Sequence, residues 1–84
     1  MDSITLRRLF GRRVRSLRRL RDLTQEDLAD RTGLSAEYIS RIERGLASPS
    51  FESIASIAKV LSVEPYSLFD FKQLGTDSAD ADKE

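Results

Sequence analysis

Thr24 to Gly45 reads TQEDLADRTGLSAEYISRIERG, and its residue types sit where two short helices joined by a tight turn require them. Ala29 is a small residue midway along the first helix, where a larger side chain would keep a second helix from crossing closely. Gly33 supplies the turn, because glycine adopts a positive φ without steric cost. Leu28, Leu34, Ile39 and Ile42 are spaced so that both helices turn apolar faces toward one another, a period near 3.6 rather than 2. Thr24 and Ser35 each stand immediately before a helical run, where a hydroxyl accepts from an unpaired backbone N–H. Gln25, Glu26 and Asp27 follow Thr24 and suit the positive end of the helix dipole.

Two amphipathic helices in a plain αα-hairpin would share part of this pattern. The joint placement of Gln25, Ala29, Gly33, Leu34, Ile39, Ile42 and the closing Glu43-Arg44-Gly45 is what points instead to the helix-turn-helix geometry of DNA readers.

Around this centre the chain is uneven. Its 84 residues allow one domain, near the lower limit of what a core stabilises unaided, and dimerisation is a usual remedy. There is no cysteine, histidine or tryptophan, which excludes disulfide stapling and any Cys/His metal site. No apolar run approaches the roughly 20 residues needed to span a bilayer. The formal net charge is zero, yet residues 1–21 carry eight arginines against one acid, and residues 50–84 carry three lysines against seven acids. One end is expected to meet phosphate and the other is not.

From Thr5 to about Arg21, Leu6, Leu9, Phe10, Val14, Leu17 and Leu20 recur at steps of three and four, predicting one amphipathic helix with a basic outer face. Val14, Leu17 and Leu20 are expected to cover the core. Gly11 reads as a mild cost of about 1 kcal/mol against alanine, at the point where an N-terminal extension joins. Asp22 fits the short turn that follows, since aspartate tolerates left-handed backbone. After Gly45, Leu46-Ala47-Ser48-Pro49 reads as a loop and Ser50 as the N-cap of a fourth helix. Phe51, Ile54, Ile57, Ala58 and Leu61 are its predicted inward stripe. Pro65 suits the first position of a fifth helix, which would return Leu68 and Phe69 to the core. The reading is therefore an all-α, compact five-helix bundle over residues 1–74, followed at 75–84 by an acidic tail, TDSADADKE after Gly75, whose composition predicts disorder.

From about Val14 through Phe69 the chain resembles the phage-repressor and Cro family of helix-turn-helix proteins, the XRE type, through LTQEDLA, YISRIERG, PSFESIASIAKVL and VEPYSLF. Within that family it is similar to small stand-alone regulators, including controller proteins of restriction-modification systems. The resemblance implies a lambda-repressor-like DNA-binding domain whose third helix enters the major groove. The base-reading positions it implies are Ala36, Glu37, Ser40 and Arg41. By position, Arg41 suits a bidentate contact to guanine, Glu37 accepts from cytosine N4, and Ala36 offers a methyl to thymine. Glu37 and Arg41, four apart, also suit a simple surface pair.

Gln25 and Arg44 match family positions that contact phosphate, and Ser35 and Arg15 join them as expected phosphate-binding residues. Arg18 and Glu43 match positions that pair across the first and third helices. Arg7 to Arg13 read as a solvated face or as supplementary phosphate contacts. Leu46, Val60, Tyr66, Phe71 and Leu74 exceed what a small core hides, and are the expected dimer interface. Two-fold symmetry would set recognition helices about 34 Å apart, one turn of DNA.

The function so implied is a cytoplasmic, nucleoid-associated transcriptional regulator, a repressor or activator, binding a palindromic operator in double-stranded DNA as a homodimer. The alternative is an antitoxin-like or other protein-interaction module. An enzyme has little support: there is no glycine-rich phosphate loop, and Ser35, Ser40 and Ser50 have no general base at a sensible spacing. Neither cofactor, metal nor membrane is expected.

Overall fold

A computed structural model of the chain describes residues 1–75. Four α-helices, α1 (Ser3–Leu20), α2 (Gln25–Thr32), α3 (Ala36–Glu43) and α4 (Phe51–Leu61), are followed by two 3-10 segments, Pro65–Phe69 and Phe71–Gly75. The expected tail disorder beyond Gly75 lies outside the described residues.

Local capping explains where each helix starts. Asp2 accepts from the Thr5 N–H at 2.8 Å, so α1 begins two residues earlier than its apolar pattern indicated. Thr24 Oγ1 accepts from the Asp27 N–H at 3.0 Å, while Asp27 accepts from the Thr24 N–H at 2.9 Å, a reciprocal capping box. Ser35 and Ser50 accept from the N–H groups of Tyr38 and Ser53, as expected. Each such cap stabilises its helix by about 1 kcal/mol. Gly33 ends α2 at φ 77° and donates to the Ala29 carbonyl at 2.9 Å. Asp22, at φ 56°, adopts the left-handed conformation anticipated for it.

The core joins Phe10, Val14 and Leu17 of α1, Leu28 and Ala29 of α2, Ile39 and Ile42 of α3, and Ile57, Ala58 and Leu61 of α4, with Leu23 and Leu68 closing its ends. Gly11 is not a passive junction. A Cβ there would lie 2.3 Å from the Ile42 carbonyl oxygen, so α1 and α3 cross at a distance only glycine permits. Two expected inward residues of the α-helices face solvent instead. Leu20 is 74% exposed, because Phe10, Val14 and Leu17 centre the buried face and Leu20 lies off it at the helix end. Phe51 is 86% exposed, since α4 buries Ser53, Ile57, Ala58 and Leu61. The inward Ser53 is tolerated because its hydroxyl is hydrogen-bonded to Tyr38 Oη at 3.3 Å and Ser50 Oγ at 3.0 Å.

The fifth α-helix does not form. Pro65 does start a segment, but only five residues precede the extended turn at Asp70, too few for more than a single i→i−4 bond. Three-residue bonds form instead, from Ser67 N–H to the Glu64 carbonyl at 2.8 Å and from Asp70 N–H to Ser67 at 3.2 Å. Leu68 is nevertheless fully buried, whereas Phe69, also expected in the core, is 41% exposed, because on this short 3-10 turn only Leu68 points inward; the Phe69 ring lies against the edge of the core, 5.1 Å from Phe10. Both 3-10 segments pack against α1. Among the described residues, no helix is long and apolar enough to cross a membrane.

Candidate nucleic-acid interface

The buried back of α3 determines what its front presents. Ile39 and Ile42 fill the core, and Glu43, 2% exposed, is drawn inward with them. A helix so pinned presents Glu37 and Arg41 to solvent, with Ser40 half-buried between them. Ala36 also stands at the front, though half-buried and packed against the core. Arg41 does not pair with Glu37 four residues away. Its Nη2 donates to the Leu46 carbonyl at 3.3 Å, which folds the guanidinium back toward the loop that follows α3. Arg44, also exposed, donates from Nε to the Ser40 carbonyl at 3.4 Å.

Glu43 holds three helices together. Its carboxylate accepts from Arg18 Nε at 2.7 Å and Arg18 Nη2 at 2.9 Å, the expected pair across α1 and α3. Arg18 Nη1 donates further to the Leu23 carbonyl at 2.8 Å. Two partners of Glu43 were not anticipated: Arg15 Nε at 3.3 Å and Gln25 Nε2 at 3.0 Å. Arg15 sits one turn before Arg18 on the same face of α1, so its spacing held the signal. Gln25, from another helix, carried no local one. Two of the expected phosphate-binding residues are thus anchored on α3 by the same carboxylate. An amide has two N–H donors, so Gln25 keeps one beyond this bond. Ser35, occupied as an acceptor by the Tyr38 N–H, keeps its O–H.

At the start of α2, the hydrogen bond from the Thr24 N–H holds the Asp27 carboxyl below its ordinary range, and the Thr24 hydroxyl and the Arg31 charge act in the same direction. Asp2 is lowered likewise, first by the Thr5 N–H.

Three arginines of the basic N-terminal region each use Nε on a backbone carbonyl. Arg7 Nε donates to the Gly45 carbonyl at 3.3 Å, Arg13 to Ser67 at 2.8 Å, and Arg21 to Leu61 at 2.9 Å. Arg7 and Arg21 so place positive charge just past the C-terminal ends of α3 and α4, whereas the Ser67 carbonyl met by Arg13 also accepts from the Asp70 N–H.

Of the residues expected at a dimer interface, Leu46 and Tyr66 are exposed, and Val60 and Phe71 are half-buried. Leu74 is only 5% exposed: its own chain covers it, and it cannot serve as a docking surface. Leu20 and Phe51 are exposed apolar residues that the sequence reading had placed inside.

Comparison with known proteins gives one consistent picture. A family model described as helix-turn-helix matches residues 14–68. The control protein C.BamHI of Bacillus amyloliquefaciens is 42% identical over 71 residues, covering 83% of this chain and 88% of that protein. The crystal structure of the restriction-modification controller protein C.AhdI from Aeromonas hydrophila is 39% identical, with a TM-score of 0.73 over 74% of this chain and 94% of that one. The clp gene regulator ClgR from Corynebacterium glutamicum superposes with a TM-score of 0.77 at 28% identity, over 92% of this chain and 84% of that one.

Proposed function

The chain belongs to the helix-turn-helix family of DNA-binding transcriptional regulators, and from that premise we propose that it is a stand-alone regulator of the restriction-modification controller type, acting in the cytoplasm on a palindromic operator as a homodimer. The observation that carries this reading is the outer face of α3, where Glu37 and Arg41 stand exposed on a helix whose back is fixed by Ile39, Ile42 and Glu43. Arg41 reads a base edge, Glu37 and Ser40 contribute beside it, and Ala36 offers its methyl. Gln25, Ser35, Arg15 and Arg44 grip phosphates on either side and set the register.

Leu46, Val60, Tyr66 and Phe71 form the self-association surface in this reading, without Leu74. Similarity to controller proteins over most of both chains supports the narrower assignment. A protein-interaction module would be favoured by an apolar C-terminal segment left free. Leu68 and Leu74 are instead buried within this chain.

The test is light scattering of the protein mixed with a duplex carrying an inverted repeat recovered by selection, beside a scrambled duplex at the same salt. Two protomers on the first and none on the second is the expected result. One protomer per duplex, or equal occupancy of both, would overturn the dimeric operator.

A further inference from the structure

α1 begins at Ser3, whereas the helix-turn-helix family model is matched from residue 14. Its first turns are thus an addition to the matched unit, and they lie against the end of α3. Arg8 and Gly11, three apart, share one face of the helix. At Gly11 a Cβ would meet the Ile42 and Glu43 carbonyls of α3. One turn earlier, a Cβ on Gly45 would lie 2.9 Å from Arg8 Cγ and 3.0 Å from Arg8 Cα. Gly45 is buried at φ 74°, so the turn after α3 is shaped around the α1 backbone at Arg8.

This contact brings a cation to a turn that has none of its own. Leu46, Ala47, Ser48 and Pro49 carry no charge, and Arg44 is the last basic residue before them. Arg7 already meets the Gly45 carbonyl, at 3.3 Å, so the charge of Arg8 is not needed to close the helix end. Arg8 is exposed and, among the described residues, donates no hydrogen bond. The acid that feels its charge is Asp2, whose carboxylate accepts from the Thr5 N–H at 2.8 Å. Arg8 and Arg44, both exposed, therefore flank Gly45, one through packing and the other along the chain.

We propose that Arg8 is a phosphate ligand, and that the first turns of α1 extend the nucleic-acid interface beyond the C-terminal end of α3. This rests on the DNA-binding function proposed above, with Arg44 gripping phosphate at the same end of α3. Arg44 and Arg8 then hold the sugar-phosphate backbone as a pair whose spacing is set by Gly45. Such a contact adds affinity and fixes register on any sequence, and leaves base selection to the front of α3.

Arg8→Met keeps an apolar stem against Gly45 without the charge, and Arg8→Lys keeps both. Lys59→Met removes an exposed cation from α4 instead. Affinity for a random-sequence duplex is measured for these three and the native chain between about 50 mM and 200 mM salt. Arg8→Met should bind about tenfold more weakly at the lower salt, with the plot of log affinity against log salt shallower by about one. Arg8→Lys should recover the native slope, because an ammonium also neutralises a phosphate, and Lys59→Met should keep it. An unchanged slope in Arg8→Met, an equal loss in Lys59→Met, or no recovery in Arg8→Lys would overturn the assignment.

A second readout does not depend on total charge or on stability. On a duplex carrying the selected inverted repeat, ethylating one phosphate in each half-site should weaken the native chain and Arg44→Ala but no longer affect Arg8→Met. Identical interference patterns in the native chain and Arg8→Met would reject Arg8 as a ligand while leaving the DNA-binding function intact. Failure of the native chain to bind any duplex would instead reject that function, and the role of Arg8 with it.

Discussion

Gln25 Nε2 donates to Glu43 Oε1 at 3.0 Å, which ties the first residue of α2 to the last of α3. The same carboxylate receives Arg15 and Arg18 from α1. One buried acid therefore ties α1, α2 and α3 together. Glu43→Ala would leave two arginines without their counter-charge. It is expected to cost about 3 to 5 kcal/mol, because breaking a buried pair exceeds the net contribution of the pair itself. Urea denaturation measures this, and a loss below about 1 kcal/mol would remove Glu43 from its central place.

Gly11→Ala sets helix propensity against packing. Propensity alone predicts a gain of about 1 kcal/mol. The absent Cβ, however, would meet the Ile42 and Glu43 carbonyls, which are backbone and cannot turn aside. Overpacking by a methyl group is expected to win, with a net loss of about 1 to 3 kcal/mol. For a domain of this size that lowers Tm by roughly 4 °C or more. A rise in Tm would show that α1 and α3 do not cross this closely.

Ser62 closes α4 at φ 60° and ψ 41°, a left-handed conformation that costs a non-glycine residue about 1 kcal/mol. The side chain is exposed. Ser62→Gly should relieve that cost and raise stability by about 0.5 to 1 kcal/mol, read as a higher urea midpoint at unchanged slope. Destabilisation would mean that the serine side chain contributes a contact worth more than the strain.

Acid should loosen α2 through its capping box. The Asp27 carboxyl is held below its ordinary range in the folded chain by the Thr24 N–H. Its stabilising contribution is thus complete above the unfolded-state value and is lost as pH falls through the lower folded-state value. Asp27→Asn removes that titration, so its Tm should fall less steeply than that of the native chain between about pH 5 and pH 2. Parallel acid limbs in the two proteins would exclude the box as a source of acid sensitivity.

The parts of this fold that were legible in the sequence are those set within a few residues. Thr24, Ser35 and Ser50 cap because a hydroxyl reaches an N–H three positions ahead, and Gly33 and Asp22 turn because their own backbones allow it. Arg18 and Glu43 were paired through the family resemblance. What the sequence concealed depends on neighbours across space. Nothing beside Gly11 announces the Ile42 carbonyl of α3 that a Cβ there would meet, and nothing beside Arg7, Arg13 or Arg21 announces the carbonyls they meet. Phe51 and Leu20 fit an apolar period, yet each lies at a helix end beyond the area its neighbours cover. Leu68 returns to the core as expected, but on a 3-10 turn that stops after five residues; Phe69, expected beside it, stays exposed, and Leu74, expected at an interface, is buried. The front of α3 was readable as outward-facing positions. The Leu46 carbonyl as the resting partner of Arg41 was not.

Arg41 carries the sharpest consequence of the account. Native protein and Arg41→Ala should be passed in parallel through selection from a random duplex library at one salt concentration, with the bound fractions sequenced. The native chain is expected to enrich an inverted repeat with half-sites about one helical turn, or 34 Å, apart. Arg41→Ala should keep the repeat but lose preference at one symmetric guanine, worth about 1 to 3 kcal/mol of discrimination. The same motif with undiminished guanine preference in both proteins would contradict base reading by Arg41, and no enrichment by the native chain would contradict the operator-binding function as a whole.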